Sequence, residues 1–241
     1  MSLYDTSKFQ EDLESFSLQL TEKQINQFLR YYEMLTEWNG FMNLTGITEY
    51  DEVMKKHFID SLSIVKIFDT SRMCKVIDVG TGAGFPGLVL KIAFPQMEIT
   101  LLDSLNKRIH FLNAVIEELE LEGISTLHGR AEDYARPGQL REQFDLCVSR
   151  AVANLSVLAE YCLPYVKVGG CFVAYKSEKL NEELTDSKNA ISLLGGKMEK
   201  NEEFTLPNSD IFRSLICIRK VQPTSKKYPR KAGTPTKEPI K

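Results

Sequence analysis

The chain has 241 residues, 43% of them hydrophobic and 26% charged, with a net charge of −3. These proportions match a soluble globular protein, exclude disorder throughout, and allow one large domain with an appendage rather than two full domains. No apolar run approaches the ~18 residues of a membrane span, and the first twenty residues lack a basic start and apolar core, which argues against export and membrane insertion and for a cytoplasmic protein.

The first seventy residues read as helical. Phe9, Leu13, Phe16 and Leu20 recur at spacings of four and three, which sets an apolar stripe on one helix face. Thr21-Glu22-Lys23-Gln24 has the form of a capping box and predicts a second helix from Glu22 to Trp38, with Ile25, Phe28, Leu29, Tyr32 and Leu35 buried. Asn39-Gly40 is expected to end it, because both residues tolerate positive φ. Thr48 is placed to cap a shorter helix through His57, followed by another from Ser61 to Phe68.

From Lys75 the pattern changes to short β-branched runs at Lys75 to Val79, Glu98 to Asp103, Ser125 to His128, Phe144 to Ser149 and Cys171 to Lys176. Helix candidates lie between them at Pro86 to Phe94, Lys107 to Leu119 and Asn154 to Tyr165. Such alternation predicts parallel strands joined by right-handed crossovers, hence an α/β fold with an open, doubly wound, mostly parallel sheet. A long polar helix near Glu178 to Leu194 precedes Lys197 to Phe204 and Arg213 to Lys220, read as closing strands at one sheet edge. The expected organisation is an N-terminal helical lobe over 1–70, a sheet domain over 71–222 and a basic tail over 223–241.

Cys74, Cys147, Cys162, Cys171 and Cys217 are odd in number and never form a C-x-x-C pair, so all five read as reduced core residues. His57, His110 and His128 show no metal-ligand spacing. Charge is unevenly spread: from Arg219 to Lys241 eight basic residues face one acid, which leaves −10 on the rest. A basic tail on an acidic body suits contact with a polyanion, and an inert solvated tail is the alternative. Four of the nine prolines lie there, so the tail is expected to be extended and poorly packed.

The sharpest feature is Val76-Ile77-Asp78-Val79-Gly80-Thr81-Gly82-Ala83-Gly84-Phe85-Pro86-Gly87, a strand entering a glycine-rich turn and then a helix. Such a turn at the carboxyl end of a parallel strand lets backbone approach a ligand, beside the unpaired N–H groups of a helix start. Gly82-x-Gly84-x-x-Gly87 formally matches the dinucleotide fingerprint, with Asp103 about twenty residues on for a ribose. Asp78-x-Gly80-x-Gly82-x-Gly84 resembles motif I of the class I S-adenosylmethionine methyltransferases, which also places Asp103 on ribose hydroxyls. The turn alone leaves both ligands open.

Further along, Arg130-Ala131-Glu132-Asp133 follows the third strand, where class I methyltransferases hold adenine, and Ser149-Arg150-Ala151 ends the fourth, which faces the methyl acceptor. Neither an N-P-P-Y-like turn nor a Pro-Cys nucleophile stands there, and Cys147 reads as core. Arg150 is the polar residue best placed to touch cofactor or acceptor, with a structural salt bridge as the competing role.

Together with these, Trp38-Asn39, Asn43-Leu44-Thr45, His57-Phe58-Ile59-Asp60-Ser61-Leu62, Gly84-Phe85-Pro86-Gly87, Leu102-Asp103-Ser104, Lys107-Arg108 and Lys227-Tyr228-Pro229-Arg230 closely resemble the small-subunit ribosomal RNA guanine-N7 methyltransferase G family, nearly end to end. The resemblance implies a Rossmann-like class I fold, S-adenosyl-L-methionine as cofactor, and methylation of N7 of a guanosine in 16S ribosomal RNA. It assigns Gly80, Gly82, Phe85, Asp103, Ala131, Glu132 and Arg150 to the cofactor, and sets Asn43 and Arg150 near the acceptor. His57 and Asp60 are equally well read as a hydrogen-bonded pair bracing the helical lobe. Guanine N7 carries a free lone pair, so no general base is expected. Lys226, Lys227, Arg230 and Lys231 are expected on RNA phosphates. The implied partner is 16S ribosomal RNA or the small ribosomal subunit, with no DNA or membrane, and the protein is expected to be a monomer. Two other readings stay open: an RNA-binding assembly factor that keeps the fold without catalysis, and an NAD-dependent oxidoreductase, for which no His or Lys acid stands out.

Overall fold

A computed structural model describes residues 4–150, 153–177 and 181–241. Helix α1 (Ser7–Ser15) leads to α2 (Glu22–Met42), which starts at the expected capping box: Thr21 Oγ1 accepts from Gln24 N–H and Gln24 Oε1 from Thr21 N–H. The same Gln24 side chain donates to the carbonyls of Ile92 and Ala93, at 2.8 and 3.1 Å. Contrary to the sequence reading, α2 does not stop at Asn39-Gly40. Asn39 stays helical and its Oδ1 accepts the N–H groups of Leu44 and Thr45, so the left-handed residue is Asn43, at φ 50°. The buried stripe also shifts: Phe28, Leu29 and Leu35 are joined by Tyr31 and Met34, while Ile25 and Tyr32 are only partly covered.

The two short helices expected from Thr48 and Ser61 are one continuous run. It comprises α3 (Tyr50–Val53), a π-helical stretch Met54–Ile59, α4 (Asp60–Leu62) and a 3₁₀ turn Ser63–Lys66. Its N-cap position is Glu49. The wide π turn carries His57 and Asp60 follows it directly, in keeping with the tendency of π-bulges to mark functional segments.

The remaining elements follow the predicted alternation: β1 (Lys75–Val79), α5 (Gly87–Ala93), β2 (Glu98–Asp103), α6 (Asn106–Glu118), β3 (Ile124–His128), α7 (Ala131–Tyr134), β4 (Phe144–Ser149), α8 (Leu155–Cys162) and β5 (Val166–Lys176). Strand β5 begins five residues earlier than expected, after a 3₁₀ turn Leu163–Tyr165. The start of the polar helix, Glu178 to Leu180, lies outside the described residues. The rest is two helices, α9 (Asn181–Asp186) and α10 (Lys188–Leu193), ahead of β6 (Gly196–Thr205) and β7 (Phe212–Lys220).

The seven strands order as β3-β2-β1-β4-β5-β7-β6, with β1 to β5 parallel and β7 antiparallel to both neighbours. Strand residues alternate between two apolar cores. Val76, Leu101, Val148 and Val173 face α1, α2, α5 and α6, whereas Ile77, Leu102, Cys147 and Phe172 face α8 and α10. The sheet is therefore covered on both faces, and strand order reverses between β1 and β4, which opens a crevice at their carboxyl ends. All five cysteines are free and buried. No helix among the described residues is long and apolar enough to cross a membrane.

The tail is not the extended, poorly packed segment that its prolines suggest. Tyr228 is buried, Lys220 is fully buried with its ammonium on the Leu163 carbonyl, and the chain ends near a short helix, α11 (Thr234–Lys237). Arg141 holds the tail by donating to the carbonyls of Thr224, Ser225 and Tyr228.

Candidate cofactor and acceptor site

The glycine turn sits in the crevice after β1. Gly80 and Gly82 have φ of 76° and 62°, and a Cβ at either would meet nothing within 4 Å. Gly87 is required for the opposite reason: a Cβ there would lie 2.3 Å from Leu101 Cδ2 and 2.8 Å from Asp78 Oδ2. The turn is thus packed hard against the sheet at one end and leaves an open cradle at the other.

Two carboxylates flank that cradle. Asp78, at the end of β1, is fully buried; its Oδ2 accepts from the Thr81 hydroxyl at 2.6 Å and Gly87 N–H at 2.8 Å. Its Oδ1 has no partner among the described residues, and burial pushes the carboxyl up to about 6. Asp78 is thus a brace beneath the turn, holding Thr81 and the first residue of α5 in place. Asp103, at the end of β2, accepts from Gly82 N–H and Leu105 N–H, both at 2.9 Å, and from Arg108 at 3.2 Å. The two oxygens therefore clasp the turn and the start of α6; Oδ2 already takes two donors, and Oδ1 keeps a lone pair for a ribose hydroxyl.

Ala131 and Glu132 open α7 directly after β3. Both are already engaged. The Ala131 carbonyl accepts from Tyr165 Oη at 2.6 Å, and Glu132 Oε1 accepts from Gly233 N–H of the tail at 2.8 Å. The tail therefore borders this corner of the crevice, which sequence reasoning missed.

Arg150 is the hub of a polar cluster that ties β4 to the helical run. It donates to the Lys56 carbonyl and Asp60 Oδ2 at 3.0 Å and to His57 Nδ1 at 3.1 Å, with its guanidinium over the Phe85 ring. Asp60 Oδ1 accepts from Arg213 at 2.8 Å. The competing role, a structural salt bridge, is the one these contacts describe, and His57 and Asp60 are linked through Arg150 rather than as a directly bonded pair. His57 stacks on Phe85 with centroids 4.4 Å apart. Burial and the neighbouring Arg150 charge push the imidazole down to about 3, so it is neutral. Ala151 lies outside the described residues.

Asn43 is exposed at the end of α2, and Lys107 at the start of α6 donates to the Met42 carbonyl at 2.7 Å. Segment 43–45 thereby spans the mouth between α6 and His57, whose Nε2 lies 2.9 Å from Thr45 Oγ1. Lys226, Lys227 and Lys231 are exposed, but Arg230 turns inward onto the buried carboxylate of Glu160, so the expectation that it lies on phosphate does not match its contacts. Among the described residues, no group of three His, Cys, Asp or Glu is placed to hold a metal.

Comparisons with known proteins place the chain by sequence and by fold. The family model for rRNA small subunit methyltransferase G matches residues 24–212. A ribosomal RNA small subunit methyltransferase G of Lachnoclostridium phytofermentans is 54% identical over 236 residues, 98% of either chain, and one of Alkaliphilus oremlandii is 51% identical over the whole of both. Among solved structures, a mutant of MtNAS in complex with S-adenosylmethionine aligns with TM-score 0.54 at 15% identity, over 83% of this chain and 73% of that one. TYW2 of P. horikoshii in complex with MeSAdo aligns with TM-score 0.52 at 17% identity, over 66% and 61%. These two likenesses carry the fold, a Rossmann-like sheet of the class I methyltransferase kind. With a family model over most of its length and relatives about half identical end to end, the chain belongs to the rRNA small subunit methyltransferase G family.

Proposed function

We propose that this chain transfers a methyl group from S-adenosylmethionine to N7 of a guanosine in 16S ribosomal RNA. Family membership supplies the reaction class, and one observation supports it locally: an open cradle over Gly80 and Gly82, braced from below by the buried Asp78 and flanked by Asp103 at the next strand end. When bound, the cofactor supplies a sulfonium methyl, an electrophile that an uncharged ring nitrogen attacks without prior loss of a proton.

Each side chain then has a binding or orienting part. Gly80 and Gly82 admit the ligand to backbone distance, Asp103 takes a ribose hydroxyl, and the buried Asp78 holds the turn in shape through Thr81 and Gly87. Ala131 and Glu132 frame the adenine from α7. Phe85, buried beneath the mutually bonded His57 and Arg150, is held rigidly beside the glycine turn, where it takes its part in the cofactor site. Holding N7 in line with the methyl carbon at roughly 3 to 3.5 Å is worth about 7 to 11 kcal/mol in favourable cases, so orientation does what a base does elsewhere. N7 lies on the major-groove edge, which is closed to side chains in A-form RNA, so the acceptor is expected in a loop or distorted helix. Lys226, Lys227 and Lys231 are exposed to the surrounding phosphates, Lys227 with its ammonium over the Tyr228 ring. The protein is read as a monomer that acts on the small ribosomal subunit in the cytoplasm.

The test is incubation with methyl-labelled S-adenosylmethionine and small subunits from cells lacking this protein. Label recovered as 7-methylguanosine supports the proposal; label in another nucleoside, or none despite cofactor binding, overturns it.

A further inference from the structure

The hydrogen-bond chain Arg150–His57–Thr45 fixes the direction of a hydroxyl at the mouth of the crevice. A guanidinium can only donate, so His57 Nδ1, 3.1 Å from Arg150 Nη2, accepts. The neutral imidazole carries one proton, which must then sit on Nε2 and point to Thr45 Oγ1 at 2.9 Å. Thr45 Oγ1 also accepts from Ile47 N–H at 3.1 Å. With both contacts arriving from donors, the hydroxyl's own proton is turned away from them, and it has no acceptor among the described residues.

The chain thus ends in a donor whose sense is set by an arginine more than a hundred residues away. It is partly exposed, on the segment that spans the mouth between α6 and the His57–Phe85 stack. Guanine presents an acceptor, O6, on the same edge as N7, whereas adenine presents its amino group there. We propose that Thr45 is a specificity residue of the acceptor site, donating its hydroxyl proton to O6 of the guanine that is methylated. This rests on the reading of the reaction given above. The donor holds N7 toward the cofactor, and it meets an adenine amino group donor to donor.

The test pairs deletion of the hydroxyl with deletion of O6. Thr45→Val, Thr45→Ala, Thr45→Ser and wild type are compared on two short RNAs that carry the acceptor loop. One has guanosine and the other 2-aminopurine, which keeps N7 but lacks O6, at the position the wild type methylates. Both kcat/KM and equilibrium RNA affinity without cofactor are measured, with thermal melting as a check on folding. Wild type and Thr45→Ser are expected to favour guanosine by about tenfold or more beyond the preference left in Thr45→Val or Thr45→Ala. A purely structural Thr45 would lower activity on both RNAs by one common factor and leave the preference unchanged, which overturns the proposal. Equal use of the two RNAs by wild type overturns it whatever the variants do. If wild type methylates no guanine N7 at all, the reaction assigned above fails and this inference falls with it.

Discussion

Arg230→Ala measures how firmly the tail is held. The Arg230 guanidinium grips Glu160 with three contacts between 2.7 and 3.1 Å, and its backbone N–H adds a fourth at 2.8 Å. Glu160 lies on α8 with 1% of its side chain exposed, against 26% for Arg230. Removing one partner of a buried pair costs about 3–5 kcal/mol. The main-chain donor survives the substitution and part of the guanidinium reaches water, which places the loss near the low end, about 3 kcal/mol. At about 2–4 °C per kcal/mol for a chain of this size, Tm should fall by about 6–12 °C in scanning calorimetry. The released tail should also be cut faster by trypsin after Lys226 and Lys227. Glu160→Leu combined with Arg230→Met should recover part of the loss, because an apolar pair leaves no charge stranded in the core although the residue 230 N–H loses its acceptor. A single variant that melts within about 2 °C of wild type, with trypsin cleavage unchanged, would refute the ion pair as the tail's anchor.

Asp103→Asn keeps an acceptor but loses the charge, and should weaken S-adenosylmethionine binding about tenfold or more by titration calorimetry; unchanged affinity would displace Asp103 from the ribose. Gly82→Ala should remain folded, at about 1–2 kcal/mol of backbone cost, yet bind the cofactor poorly because its Cβ enters the cradle. Gly87→Ala, with its Cβ against Leu101 and Asp78, should fail in folding first, and melting curves of the two variants separate these outcomes. The pH dependence of stability should carry two opposed slopes. Asp78, pushed up from 3.8 to about 6, binds its proton more tightly when folded, so acidification from about pH 6 to 4 adds stability through it. His57, pushed down from 6.5 to about 3, contributes stability that is present above 6.5 and lost as pH falls toward 3. In urea unfolding between about pH 4 and 6, Asp78→Asn should lose stability on acidification more steeply than wild type and His57→Gln less steeply; parallel profiles would contradict both assignments.

What was legible in the sequence was local. The strands from β1 to β4 stand within a residue of their β-branched runs, since alternate residues feed two cores and leave little room for another conformation. The capping box at Thr21 and the glycine turn after Asp78 were equally readable, because each is closed by residues a few positions apart. Tertiary contacts decided the rest. Asn39 looks like a helix stop, but its side chain reaches forward to Leu44 and Thr45 and keeps α2 going. The tail looks like a solvated polyelectrolyte, and Glu160, seventy residues upstream of Arg230, gives no local sign that it will receive it. Arg150 was singled out from its place after β4; that it organises His57 and Asp60 across ninety or more residues became visible only in the folded chain.

The most direct test of the account uses chemical cleavage of RNA at 7-methylguanosine. Small subunits from cells lacking this protein are treated with the purified chain and S-adenosylmethionine, then reduced with borohydride and cleaved with aniline, and the breaks in 16S RNA are mapped. The account predicts a guanosine that is cleaved in wild-type RNA, is resistant in the deletion strain, and regains cleavage only when chain and cofactor are both supplied. An identical cleavage pattern in all samples, or label incorporated without a new break, would contradict methyl transfer to guanine N7.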